Sequence, residues 1–214
     1  MTEYIQELFN NVVAGDQAAV EDGVRAALAE GAEPKTILHK GLVDAMDEVG
    51  IRFESGEYYI PEMIIAARAM KSGLAILRPM LIEGGVKPLG TILLGTVKGD
   101  LHDIGKNLVA MMMEGAGFNV IDIGTDVSPE QFTEAIKEHQ PQVVGVSALL
   151  TTTMVNMSAM IDELENQGLR DNVKVIVGGA PLSEAYAEEI GADGYAADAS
   201  QAATLAKSLL STGQ

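Results

Sequence analysis

Cysteine is absent from this 214-residue sequence, which excludes disulfides, thiolate zinc sites, iron–sulfur clusters and cysteine nucleophiles. Positive charge is scarce: 14 Lys and Arg stand against 31 Asp and Glu, a formal net charge of −17. No basic cluster of the kind that neutralises phosphates occurs, so neither nucleic acid nor an anionic membrane is an expected partner. Of the softer metal ligands only three His remain. No apolar run is long enough to span a bilayer, and Met1-Thr2-Glu3-Tyr4 has neither the positive nor the apolar region of a secretory signal. The expected location is therefore cytoplasmic. What is present suits a folded protein: 47% hydrophobic and 21% charged residues, with 23 Gly and 7 Pro, enough to bury a core in one or two domains.

The period of the apolar residues changes once along the chain. Ile5, Leu8, Phe9, Val12 and Val13 share one helical face before Gly15-Asp16 breaks the pattern. A second helical run, Val20 to Leu28, ends at Gly31, and a third starts behind Pro34 and runs to Gly50. After Pro61 a fourth carries Met63, Ala67, Met70, Leu74, Leu77 and Leu81 on a near-heptad spacing as far as Gly84-Gly85. Residues 1–83 are thus expected to form a four-helix bundle, with 84–89 as a linker and candidate hinge.

From Gly90 the pattern is one of short, β-branched runs alternating with helical stretches. Thr91–Val97, Phe118–Ile123, Val143–Ser147 and Val173–Val177 read as strands, and a weaker last strand follows Asp193-Gly194. Alternation of this kind predicts an α/β domain over 90–214, a doubly wound, flavodoxin-like (Rossmann-like) parallel sheet of five strands. Ligands of such sheets lie beyond the carboxyl ends of the strands.

The stretch after the first strand, Gly95-Thr96-Val97-Lys98-Gly99-Asp100-Leu101-His102-Asp103-Ile104-Gly105-Lys106-Asn107, occupies that address. It is not a phosphate loop: Gly99 and Gly105 enclose five residues rather than four, and Lys106 precedes Asn107 rather than Ser or Thr. What it offers is a His two residues after an Asp, so that Asp100 can accept a hydrogen bond from one ring nitrogen of His102 and leave the other free for a metal. A solvated polar turn or helix cap is the competing reading of His102. His39 and His139 fall in helical segments away from any ligand cluster, so a metal here would have one protein ligand, which makes sense if a macrocycle supplies the rest. Two more strand ends share this edge. Ser147-Ala148-Leu149-Leu150-Thr151-Thr152-Thr153 gathers hydroxyls where the chain leaves the third strand and is expected to cap the next helix. Gly178-Gly179-Ala180 ends the fourth, where missing side chains suit either a tight turn or a bulky ligand pressed on the backbone.

Asp100-x-His102-x-x-Gly105, then Ser147-x-Leu149, then Gly178-Gly179, spaced through such a domain, resembles the cobalamin-binding signature. With its helical N-terminal segment the chain is similar, over nearly its whole length, to the cap and cobalamin domains of methionine synthase and to the corrinoid proteins that serve anaerobic methyltransferases. The resemblance implies cobalamin bound with its own base off the cobalt and His102 as the lower axial ligand, Asp100 bonding the far ring nitrogen and Thr153 extending the relay from the family's serine position. It implies that Gly99, Leu101, Asp103, Ile104 and Gly105 surround the ligand, that Ser147, Leu149 and Thr151 line the pocket for the nucleotide tail, that Gly178-Gly179 flank it, and that Ala199 touches it. In Phe53-Glu54-Ser55-Gly56-Glu57-Tyr58-Tyr59-Ile60-Pro61, Phe53 and Ile60 hold the family's positions over the upper face of the corrin; as plain bundle residues they would be core.

The function implied is methyl carriage in one-carbon metabolism: Co(I) takes a methyl group at a substrate:corrinoid methyltransferase, and methyl-Co(III) gives it to a methylcorrinoid:acceptor methyltransferase, with a reductive activase as a further partner. A chain of 214 residues has no room for a substrate-binding barrel, so donor activation is expected on partners and the protein alone is not expected to be catalytic. Donors served by such carriers include methanol, methylamines, betaines and aryl methyl ethers. The rival readings are a cobalamin-dependent sensor, which would want an effector such as a basic helix-turn-helix segment; a mutase small subunit, which would lack the helical cap; and a phospho-receiver, which would want a Lys where Asp198-Ala199-Ser200 stands.

Overall fold

The structure, a computed structural model, describes residues 3–211. It divides into two compact units. One holds the residues through Pro88 together with Glu114–Gly117; the other holds Leu89–Met113 and the residues from Phe118 onward.

The first unit is helical. Helices α1 (Glu3–Ala14), α2 (Gln17–Ala29), a continuous stretch made of α3 (Pro34–Thr36), a π-helical segment (Ile37–Val43) and α4 (Asp44–Glu54), and α5 (Ile60–Glu83) follow in order. Their apolar faces bury Leu8, Val12, Val20, Val24, Leu42, Met46, Val49, Met63, Met70 and Leu77 among one another; full burial of such a side chain is worth about 1.5–3 kcal/mol. Asp16 starts α2 by accepting the Ala19 N–H at 3.0 Å, as an N-cap should. The third helical stretch does not end at Gly50. Gly50 is buried inside α4, which runs on to Glu54 and is closed by Gly56 at φ 76°. Gly50 is therefore a small residue at a packed helix face, whereas Gly56 adopts the left-handed conformation that ends a helix.

The second unit contains five parallel strands: β1 (Thr91–Thr96), β2 (Asn119–Asp122), β3 (Val143–Ser147), β4 (Lys174–Gly178) and β5 (Gly194–Ala196). Their spatial order is β2-β1-β3-β4-β5, the flavodoxin-like order expected. Helices α6 (Ile104–Gly115), α7 (Pro129–His139), α8 (Val155–Asn166), α9 (Glu184–Glu189) and α10 (Ala199–Ser211) alternate with the strands. Leu93, Val144, Val146, Val175 and Val177 of the central strands pack with Phe132 of α7 and Met157 and Met160 of α8. Strands this apolar need both faces covered, which is what helices between parallel strands provide. In the 2-1-3-4-5 order the chain leaves β1 and β3 in opposite directions, and the crevice that opens beyond their carboxyl ends is where this architecture places a ligand. No helix among the described residues is long and apolar enough to cross a membrane.

Candidate functional site

Strand register aligns the three predicted strand ends in one row. Thr96 of β1 pairs with Ser147 of β3, Ser147 with Gly178 of β4, and Gly178 with Ala196 of β5. The loop that leaves β1 here carries Asp100 and His102, and the loop that leaves β3 carries Leu149 and Thr153.

These two loops meet on one carboxylate. Asp100 has no exposed surface. Its Oδ2 accepts the Leu149 N–H at 2.8 Å and the Thr153 hydroxyl at 2.7 Å; its Oδ1 accepts the His102 N–H at 3.0 Å and lies 2.6 Å from His102 Nδ1. Burial by itself would raise the Asp100 pKa, but the hydrogen bonds from Leu149, Thr153 and His102 outweigh it and hold the carboxyl well below the usual carboxylate range. An ionised carboxylate only accepts, so Nδ1 of His102 carries a ring proton and, in the neutral ring, the lone pair is on Nε2. The His102 side chain is 50% exposed, and Nε2 has no partner among the described residues. A histidine oriented by a buried carboxylate and open at its far nitrogen has the arrangement of a metal-binding imidazole.

Thr153 does not serve as a helix cap. Helix α8 begins at Val155 behind Met154, with no side-chain cap, and the Thr153 hydroxyl, placed between Asp100 Oδ2 and the Leu150 carbonyl at 3.0 Å, has one proton to give. The nearer, charged acceptor takes it. Its neighbour Thr151 is exposed, and Ser147 is half-buried with a hydroxyl that bonds to none of the described residues.

Three glycines at this edge have different reasons to be glycine. A Cβ on Gly179, at φ 140°, would fall 1.8 Å from the Ala148 carbonyl oxygen, so close backbone approach alone requires glycine there. A Cβ on Gly178 would come 3.1 Å from the Ala196 carbonyl oxygen. At Gly105, in the first turn of α6, a Cβ would meet nothing within 4 Å: packing within the chain does not ask for a glycine. Around it, Leu101 and Ile104 are 74% and 78% exposed, and Leu149 is exposed as well. A half-exposed imidazole, exposed apolar side chains on the loops that leave β1 and β3, and an unfilled space at a helix start fit a metal held in a large, largely apolar macrocycle. It does not fit an ion held by protein ligands alone, since no three His, Asp or Glu among the described residues gather to hold one. Asp103 and Gly99 lie in the same loop; Asp103 accepts from the Asn107 side chain at 3.2 Å.

Ala199 is buried at the first position of α10, next to Asp198, which caps that helix through the Gln201 N–H at 2.8 Å. Phe53 and Ile60 belong to the helical unit. Phe53 is half-buried in the last turn of α4, and Ile60, 45% exposed, opens α5. The turn between them is built on Arg52, whose carbonyl accepts the Glu57 and Tyr58 N–H groups at 2.9 Å each and whose guanidinium lies 5.3 Å above the Tyr58 ring.

Two buried residues of the site escaped the sequence reading. Thr96 is fully buried and donates its hydroxyl to the His102 carbonyl at 3.1 Å. Lys106, only 4% exposed, pairs with Asp122 at the end of β2 and reaches the Asn107 side chain at 3.0 Å. The one available signal for Lys106 was its place directly after Gly105, where no phosphate-loop pattern explains it.

Family models described as B12 binding domain match residues 90–204 and residues 4–78. The chain is 46% identical over 209 residues to a dimethylamine corrinoid protein of Methanosarcina barkeri, an alignment covering 97% of this chain and 98% of that one. Over 213 residues it is 41% identical to trimethylamine corrinoid protein 2 of Methanosarcina mazei, covering 99% and 98%. Of solved structures, a cobalamin-binding protein from Desulfitobacterium hafniense DCB-2 superposes with a TM-score of 0.82 at 31% identity, over 96% of this chain and 98% of that one. A chain of the methanol:cobalamin methyltransferase complex MtaBC from Methanosarcina barkeri superposes with a TM-score of 0.86 at 26% identity, over 98% of this chain and 80% of that one.

Proposed function

The chain belongs to the B12-binding corrinoid proteins of methyltransferase systems, and from that premise we propose that it is the methyl carrier between two methyltransferases, with a methylated amine as the donor class. The donor class is supported by the names of its relatives, dimethylamine and trimethylamine corrinoid proteins. When bound, cobalamin supplies a cobalt atom able to take up a methyl group and give it away again.

The chain's own part would be to ligate that metal. His102 Nε2 would be the atom that ligates cobalt. Asp100 keeps the proton on Nδ1 and fixes the ring plane, and Leu149 N–H and the Thr153 hydroxyl keep Asp100 ionised. A negative charge behind the imidazole makes it a better donor, and any proton added to the relay makes it a poorer one. Gly105 leaves room above the start of α6, and Leu101 and Ile104 offer the ring apolar surface. Ser147, Leu149 and Thr151 with Gly178 form the wall for the nucleotide tail, and Gly179 shapes it through its contact with Ala148. Ala199 supports that wall from the start of α10. A substrate-specific methyltransferase, an acceptor methyltransferase and a reductive activase complete the system.

The observation that carries this reading is the buried Asp100 carboxylate with every bond spent on presenting one half-exposed imidazole. His102→Ala tests it. The variant should still bind cobalamin through the tail pocket but lose, in the cob(II)alamin form, the nitrogen splitting in electron paramagnetic resonance that shifts on 15N labelling of the protein. A spectrum unchanged from the parent protein would refute His102 as the ligand.

A further inference from the structure

Outside the relay, one residue holds a costly backbone conformation next to the His102 loop. Asp126, in the connection from β2 to α7, has φ 57°, the left-handed region that residues with a Cβ seldom enter. Its backbone N–H donates to the Asp100 carbonyl at 3.0 Å, and its Oδ1 accepts the Gly99 N–H at 2.7 Å. Gly99 is itself left-handed, at φ 81°. Asp126 therefore grips the loop by the peptide groups of Gly99 and Asp100, three and two positions before His102. The next residue, Val127, extends the grip by donating its N–H to the Thr96 carbonyl at 3.0 Å and bridging to Val97. On the opposite side Asn156 of α8 donates its side-chain amide to the Lys98 carbonyl at 2.8 Å.

We propose that Asp126 is a positioning residue for the His102 imidazole: its left-handed backbone and its carboxylate together clamp Gly99 and Asp100 in the shape that presents the His102 ring. The proposal rests on the reading of His102 as the cobalt ligand. Glycine would satisfy the backbone of position 126 more cheaply, so a side chain held there has to return something, and what it returns is an acceptor for Gly99. Asp126 is exposed and contributes nothing to the core. Turning Asp100 by even a fraction of a bond rotation moves Oδ1 off Nδ1, and the ring swings with it. Geometry, not the charge of Asp126, is the operative quantity, because an amide oxygen accepts the same bond and Asn tolerates the same backbone.

Three substitutions separate these contributions. Asp126→Gly keeps the left-handed backbone and removes the acceptor; Asp126→Ala removes the acceptor and strains the backbone; Asp126→Asn keeps both. Each is loaded with cob(II)alamin and read by electron paramagnetic resonance for the protein-derived nitrogen splitting. Each is also read without cofactor by NMR for the His102 Nδ1–H proton, whose 2.6 Å approach to Asp100 should place it far downfield. Asp126→Gly and Asp126→Ala are expected to lose at least half of the imidazole-ligated signal and to broaden the Nδ1–H resonance, whereas Asp126→Asn retains both. Full ligation in Asp126→Gly would overturn the clamp. A loss in Asp126→Asn as large as in Asp126→Gly would also overturn it, in favour of a charge effect. Absence of protein nitrogen splitting in the parent protein, with a spectrum matching His102→Ala, would instead sink the ligand reading on which the clamp depends.

Discussion

Asp100 makes the chemistry of the site a matter of acid–base balance. Its folded-state pKa is depressed, so the carboxylate stabilises the fold above the ordinary carboxylate range, and that contribution is lost as pH falls: below about pH 4 the unfolded chain takes up a proton that the folded one resists. Asp100→Asn should therefore be most destabilising at neutral pH, by about 2 kcal/mol for the loss of hydrogen bonds to a buried charge, and the gap to the parent protein should narrow as pH approaches 3. Urea midpoints at a series of pH values measure it; a gap that widens on acidification would contradict the assigned sign. The Asp100–His102 spacing was legible in the sequence because two residues of separation bring a loop His back to an Asp. The arrival of Thr153 and Leu149 from 53 and 49 residues away was not legible from the chemistry of those residues. A hydroxyl after a strand reads as a cap until the tertiary fold offers it a charged acceptor, and the side chains of Thr96 and Asp126 bond to backbone groups, partners that leave no mark in composition.

Among the elements, the strand ends are where glycine divides into two kinds. Gly179→Ala must push a methyl group into the Ala148 carbonyl from a backbone at φ 140°, so several kcal/mol of stability or a local rearrangement is expected, whatever the ligand does; thermal unfolding of the apo-protein reports it. Gly105→Ala meets open space in the first turn of a helix and should stabilise the apo-protein by up to about 1 kcal/mol while weakening cobalamin binding, because the new methyl group would occupy the room the proposed site leaves for the ligand. A Gly105→Ala protein that is both more stable and equally tight for cobalamin would remove Gly105 from the site. Helices and strands themselves were readable from apolar period and from Gly and Pro punctuation, since local burial dictates both. The π-helical segment over Ile37–Val43 was not. It depends on how closely the chain passes α1, where a Cβ on Gly41 would come 2.6 Å from a Leu8 methyl, and such tertiary proximity has no sequence period. Gly50 misled for the same reason: small size for packing and left-handed freedom for termination look alike in one letter.

At the scale of the whole molecule the excess of acid becomes a statement about partners. Of the few basic residues in the α/β unit, Lys106 is spent on Asp122, and Arg170 and Lys174 on Asp193. Residues 90–214 hold 6 Lys and Arg against 17 Asp and Glu, so that part of the chain carries 11 of the 17 net negative charges. If the chain meets two methyltransferases in turn, as proposed, it gains from fast encounter and fast release more than from tight binding, and a long-range field of one sign gives the first without a large buried interface. The partner surfaces are then expected to be basic, and the encounter rate to fall as salt shortens the screening length from about 10 Å at 0.1 M towards about 3 Å at 1 M. Methyl transfer to a purified partner methyltransferase should show kcat/KM dropping several-fold between those salt concentrations, with kcat nearly constant, because screening slows approach and leaves the chemistry within the complex untouched. A salt-independent kcat/KM, or a fall carried by kcat, would mean that docking is apolar or that salt acts on the carrier itself. Titrating cobalamin retention in the same buffers distinguishes the second case, since the His102 relay is buried at Asp100 and screened little by added ions.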